Sequence, residues 1–260
     1  INITTAKPGD EFEGIIEGSY EPEFGGYSGT VTLSGPITDT FGARFVAKKR
    51  ETDGWMDNRL LNEDEVNRED TVGRLVLSWL PTDDLDITFK YESGESEATG
   101  SNEVISVTTP TSLAYYETVD PNISSNSGFG YKKSAQTFGG VRGGDTYHDS
   151  EWEISTLTAE WALGEYTIKS ITGYVDYQFD NYRDNDYGPL IGSARGRDES
   201  HEQFTQEFLL SSPISDTFEY LVGLFYQDEE LGHYKTTDAS LKNFYEAGVP
   251  LPAAVGTGAF

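Results

Sequence analysis

Stretches in which apolar and polar residues alternate one by one recur along the chain, and the links between them are short and long in turn. Leu85, Ile87, Phe89 and Tyr91 alternate with Asp86, Thr88, Lys90 and Glu92, while Leu157, Ala159, Trp161 and Leu163 oppose Thr156, Thr158 and Glu160. Gly73, Leu75, Leu77 and Trp79 make one side of another stretch, and Tyr220, Val222, Leu224 and Tyr226 one side of a further one. A period of two is the signature of a half-buried strand. It predicts about nine strands, near 11–20, 27–35, 41–50, 70–80, 85–93, 152–163, 166–180, 202–212 and 218–228, with no segment that reads as a helix. The tight links are Gly35–Thr40, Pro81–Asp84, Gly164–Glu165 and Pro213–Thr217. The long ones are Arg50–Asp70, Ser93–Glu151, Arg183–Ser200 and everything after Asp228. In an up-and-down meander, successive links lie at opposite ends of the sheet, so one end is clipped close and the other carries the bulk.

Transmembrane β-barrels of the outer-membrane type have this asymmetry. The composition fits them: only 36% of the 260 residues are hydrophobic, and no run reaches the ~18 apolar residues of a spanning helix. A barrel strand needs an apolar residue only at every second position. A soluble sandwich would show the same alternation, but here aromatics gather at the strand ends. Trp79, Trp161, Tyr166 and Tyr220 flank tight links, and Tyr91, Tyr177, Phe179 and Tyr226 sit toward the long ones, as two interfacial girdles would. In stretch 166–180 the residues Ile171, Val175, Tyr177 and Phe179, with Gly173, are expected to face lipid, and Asp176 the lumen. Tyr166 to Tyr177 would then span ~28 Å at a tilt of ~40°, close to an apolar band of ~25 Å. Arginine at Val175 should cost ~2–4 kcal/mol and arginine at Asp176 much less. The lumen-facing Glu160, Asp176 and Glu207 suit polar networks.

The formal net charge of −27 argues against a nucleic-acid partner, whose phosphates would be repelled. Generous aromatics, 16 Tyr and 14 Phe, argue against disorder. Most of the acid falls in the long links, as at Glu63, Asp64, Glu65, Glu69 and Asp70 or Asp228, Glu229 and Glu230, and reads as solvated surface. Asp180, Asn181, Asp184, Asn185 and Asp186 offer the oxygens calcium prefers but lack the spacing of an EF-hand loop, so no metal site and no cofactor is assigned. The absence of cysteine removes disulfides and thiolate ligands. His148, His201 and His233 fall in or beside different long links. Asp145, His148 and Ser150 lie too close in sequence for triad geometry. No catalytic residue is assigned, and the chain is not read as an enzyme.

The segment Ile1–Pro8 (INITTAKP) resembles the end of the plug domain of TonB-dependent outer-membrane receptors, where a similar stretch leads into the first barrel strand. Val31–Ile37 (VTLSGPI), Ala43–Phe45, Asp53–Trp55, Arg74–Leu80 with Pro81, and Gln206–Pro213 followed by Leu221–Tyr226 resemble later strands and turns of that family, in order. The resemblance implies residues 1–10 as plug end and lead-in, and 11–260 as the N-terminal portion of a barrel of ~22 strands with long extracellular loops. It also implies a multi-pass protein of the Gram-negative outer membrane. Such a protein would take up a scarce solute, such as an iron chelate (a siderophore), cobalamin or an oligosaccharide, with energy from TonB. Its partners would be lipid and lipopolysaccharide around the barrel, TonB through an N-terminal segment upstream, and the small-molecule or oligosaccharide ligand. A passive porin-like channel and a soluble all-β binding module are the alternatives. The chain opens without an initiator Met, as a processed start or a fragment would, and ends in Leu251–Phe260 (LPAAVGTGAF) with no alternating strand before it, so a truncation within a loop is expected at that end.

Links as long as Ser93–Glu151 are usually functional or disordered. Tyr and Arg suit ligand platforms, so Tyr115, Tyr116 and Arg142 in that link, with Trp55 and Tyr187 in two others, are the candidate ligand contacts.

Overall fold

The computed structural model describes residues 5–59, 61–104, 109–118, 121, 131–132, 146–185, 187–188, 193–213 and 218–239. The main sheet holds the nine expected strands: β1 (Glu13–Glu21), β2 (Gly26–Thr38), β3 (Phe41–Thr52), β6 (Asn67–Thr82), β7 (Leu85–Thr99), β9 (Tyr147–Leu163), β10 (Tyr166–Asp184), β11 (Ser193–Ser211) and β12 (Leu221–Ala239). Each pairs antiparallel with the next in that order, and the sheet is open at β1 and β12. Three short strands, β4 (Met56–Asn58), β5 (Glu63–Glu65) and β8 (Tyr131–Lys132), make a second small sheet at the long-link end.

The turns follow from local chemistry. Between β9 and β10 the link is Gly164–Glu165, and Gly164 has φ +64°, the left-handed backbone that a two-residue hairpin demands at its first position. The link between β11 and β12 is closed by the Ser212 amide donating to the Tyr220 carbonyl (2.9 Å).

The strands run further than their apolar alternation. β10 continues to Asp184, β11 begins at Ser193, and β12 reaches Ala239, so much of the acid expected in loops lies on strands. These extensions are mostly polar on both faces and lack a sustained apolar alternation, yet backbone pairing continues unbroken through them. A further departure is helix α1 (Pro110–Tyr116). Proline stands at its first position, where no amide partner is needed, and the Leu113 amide donates to the Thr109 carbonyl (2.9 Å). Seven residues are too few for helical periodicity to show in sequence.

The register sorts the residues into two faces. One face carries Val31, Phe45, Leu75, Leu77, Phe89, Leu157 and Trp161, then Ile168 on β10, Leu210 and Phe208 on β11, and Val222 and Leu224 on β12. It is bare: Leu157 is 43%, Phe208 48% and Leu224 71% exposed. Among the described residues the buried hydrophobic ones are few (Met56, Val76, Tyr147, Tyr182 and Ala194), and apart from Val76 they lie at the long-link end. Apolar side chains outside, with no layer packed over them among the described residues, are the inverse of a soluble sandwich.

The register also corrects the expectation for β10. Ile171, Val175, Tyr177 and Phe179 pair with Thr158, Ile154, Trp152 and Ser150 and lie on the polar face, while Asp176, opposite Glu153, lies on the other. The apolar-face aromatic that answers Tyr166 on β10 is Tyr174, eight residues on, or ~20 Å of height at a tilt of ~40°. Between them Ser170 and Thr172 face outward without orphaned groups. Thr172 Oγ1 donates to Gln206 Oε1 (2.7 Å), and Gln206 Nε2 donates to Ser170 Oγ (3.1 Å). Glu160 and Glu207 do share the polar face.

Candidate functional site

Three long connections meet at one end of the sheet and are tied to one another. In the loop between β3 and β6, Gly54 has φ +97° and leaves no room for a side chain: a Cβ there would stand 2.3 Å from the Glu65 carbonyl oxygen. The Glu65 side chain is buried. Its carboxylate accepts from Asn58 Nδ2 and, across to the next connection, from the Ser101 amide (3.0 Å). Asn58 is fully buried beside it. The same two connections pair again where Asp57 of β4 meets Tyr131 of β8. From Ser101 the chain runs to Glu103, whose carboxylate accepts from Arg183 Nη1 at the end of β10 (2.8 Å). The Arg183 guanidinium lies 6.0 Å from the ring centre of Tyr187 in the third connection, within cation–π range.

Of the candidate ligand contacts, Tyr187 therefore stands at this junction, with φ +54°. Trp55 is 37% exposed and anchored through its amide to the Glu65 carbonyl (3.1 Å). Tyr116 and Tyr115 close helix α1 in the link between β7 and β9. Arg142 lies outside the described residues. Glu65, Ser101, Glu103 and Arg183 were not singled out by the sequence. Glu65 sits in the run Glu63-Asp64-Glu65, which looks like solvated surface, and only the fold shows one of the three carboxylates turned inward.

Charge divides by face. On the nine strands, every Lys and Arg except Lys49 lies on the polar face. The opposite face, beyond its apolar band, carries carboxylates such as Glu97, Asp149, Asp180, Asp198, Glu202 and Glu230. A groove of about 370 Å³ runs over that acidic stretch, lined by Asp149, Asp180, Asp198 and Tyr234 above Gly232. Tyr147 Oη donates to Asp180 (3.1 Å). Burial and the neighbouring Asp180 push the Asp198 carboxyl above the usual carboxylate range. Burial and the hydrogen bond to Asp238 (2.6 Å) hold the Tyr182 phenol protonated. Among the described residues, no three His, Asp or Glu are placed to hold a metal ion. The histidines stay apart: His148 meets Asn181, His201 meets Glu229 (3.0 Å), and His233 meets Glu199 (3.6 Å).

On the polar face within the apolar band, Glu92 organises a network. It pairs with Arg74 and accepts from Trp152 Nε1 (3.2 Å). The Trp152 ring lies against Gly94, where a Cβ would stand 2.1 Å from it. Two lower cations are paired likewise, Arg44 with Glu13 (3.4 Å) and Lys169 with Glu160 (3.2 Å).

Comparison with solved structures places this architecture. The ferric yersiniabactin uptake receptor FyuA from Yersinia pestis matches with a TM-score of 0.65 at 17% identity, over 90% of this chain and 33% of the receptor. The ferripyoverdine receptor of the outer membrane of Pseudomonas aeruginosa, solved with ferripyoverdine bound, matches with a TM-score of 0.58 at 14% identity, over 89% of this chain and 29% of the receptor. The chain thus spans about a third of the length of these structures. No protein-family model and no curated protein sequence matches it. The nine strands have the fold of part of the barrel of TonB-dependent outer-membrane receptors, as the sequence resemblance implied. The matched proteins are uptake receptors, not enzymes.

Proposed function

We propose that this chain is the first portion of the barrel of an energised uptake receptor in the Gram-negative outer membrane. Residues 1–10 would be the end of its plug, and 11–260 barrel strands with their extracellular loops. The observation that carries this reading is the bare apolar face, which runs from β3 to β12 with a self-satisfied polar patch at Ser170, Thr172 and Gln206, bounded by Trp79, Trp161 and Tyr166 on one side and Tyr91, Tyr174 and Tyr226 on the other. Exposed apolar surface of that extent needs lipid against it. The polar face then lines the lumen, and the tied connections form the outer mouth. The solute is a scarce small molecule, with an iron chelate ahead of cobalamin or an oligosaccharide because the matched receptors carry ferric chelates in their names. Trp55, Tyr115, Tyr116, Arg142 and Tyr187 are its proposed contacts, TonB the energy partner, and lipid with lipopolysaccharide the surroundings.

The test is uptake of a radiolabelled ferric chelate by cells carrying the full-length gene as their sole receptor. Uptake should require the gene and stop when TonB is deleted or the proton-motive force is collapsed. Uptake that continues without TonB would identify a passive channel instead.

A further inference from the structure

We propose that the outer lumen face selects an anionic solute, held by a cluster of four cations on β10, β11 and β12; this rests on the uptake reading above. The register sets Arg183 directly opposite Arg195, and, two residues along β11, Arg197 directly opposite Lys235. Like charges opposite each other on neighbouring strands oppose folding. Successive same-face positions are ~7 Å apart and strands ~5 Å apart, so the four charges share a patch of roughly 7 by 10 Å.

The carboxylates nearby match only two of the four charges. Arg183 is taken by Glu103 and Arg197 by Glu199. Arg195 and Lys235 are exposed and make no ion pair among the described residues. Arg197 lies over the Phe179 ring (5.5 Å), and its Nε is buried without an acceptor. The strands bear acids in plenty, but Asp180, Asp184, Asp198 and Asp238 alternate onto the other face. A chain of net charge −27 therefore gathers cations where a solute would arrive, with donors to spare. The cluster closes the outer ends of three strands, beside the Glu103–Arg183–Tyr187 tie. Of the lower cations, Arg44 and Lys169 are each matched with a barrel carboxylate, and Lys48 and Lys90 stand singly, with no second cation directly opposite. An anionic chelate, whose carboxylate or catecholate oxygens accept several N–H bonds at once, fits this patch.

The test uses the full-length receptor in detergent and three probes: an anionic ferric tris-catecholate, a neutral ferric tris-hydroxamate and a cationic ferrioxamine-type chelate. The anionic probe should bind most tightly and weaken steeply with salt, as expected of charges that are partly exposed. The double variant R195E/K235E should weaken it at least ~10-fold, and R195Q/K235Q by less, with correct folding checked by heat-modifiable gel mobility. Preference for the neutral or cationic probe, unmoved by either variant, would overturn the proposal while leaving the receptor an uptake protein. Variants that leave anion affinity unchanged but loosen the plug toward protease would also overturn it, since the cations would then serve a protein segment. Binding of none of the probes, together with no TonB-dependent uptake of any ferric chelate, would bring down both readings.

Discussion

At the scale of single residues, what a side chain faces is decided by its neighbours across the sheet. On β10 the set Ile171, Val175, Tyr177 and Phe179 is more apolar than Ser170, Thr172, Tyr174 and Asp176, and the strand read alone points the wrong way. Pairing with Leu157, Ala159 and Trp161 of β9 fixes the other answer. The polar set survives outside because Ser170, Thr172 and Gln206 satisfy one another, which is what hydrocarbon requires of any polar group. Leu157→Arg should therefore cost ~2–4 kcal/mol in lipid and Val175→Arg much less, measured by denaturant unfolding in vesicles. Equal costs would refute the face assignment. Asp198 supplies a pH test. Its folded carboxyl is raised by burial and Asp180, so the folded state holds its proton more firmly than the unfolded chain does. The associated stability is fully present below the ordinary Asp range and is lost as pH rises through the raised value. Asp198→Asn should stabilise the protein slightly at neutral pH, by less than ~1 kcal/mol for so exposed a pair, and the gain should vanish on acidification. Thermal melts across that pH window would show it.

At the scale of elements, strand number, order and the ends at the tight turns were legible because apolar alternation and turn residues such as Gly164 are local signals. Strand length was not, because the outer ends of β9 to β12 have polar residues on both faces and only their pairing defines them. The candidate site was legible only as a region. Trp55 and Tyr187 lie at the junction of the connections, but the groups that make the junction, Glu65 with Ser101 and Glu103 with Arg183, are long-range contacts without a sequence signature. Removing the Glu65 carboxylate should take one acceptor from the Asn58 amide and from the Ser101 N–H. Glu65→Ala is expected to cost ~1–3 kcal/mol, confined to the loops. Hydrogen exchange should quicken at Ser101 and Trp55 while the strand amides of β6 and β7 stay protected. Loss of protection throughout those strands would mean that the tie holds the sheet and not just the loops. Gly94→Ala tests the lumen packing in the same way. The added methyl must displace the Trp152 ring and with it the Trp152–Glu92 bond, which indole fluorescence would report as a shift in emission.

At the scale of the whole molecule, the fold is arranged for two solvents at once. Among the described residues no layer packs against the apolar band, the buried hydrophobic residues are few and lie mostly at the long-link end, and every strand cation except Lys49 is on the polar face. These features agree with one another only if the sheet curls with the apolar face outward. The two outermost strands, β1 and β12, each have a neighbour on one side only. In lipid every unpaired N–H and C=O along such an edge costs several kcal/mol, and in water the bare apolar face and the open edges favour association. Residues 1–260 expressed alone should therefore fail to stay monodisperse without detergent and should gather into higher oligomers by size-exclusion chromatography with light scattering. In detergent they should keep strand-rich circular dichroism, yet fail to show the heat-modifiable gel mobility of a closed barrel. A monodisperse monomer in plain buffer would mean that the apolar face is covered by the chain itself, and the membrane reading would fall with it.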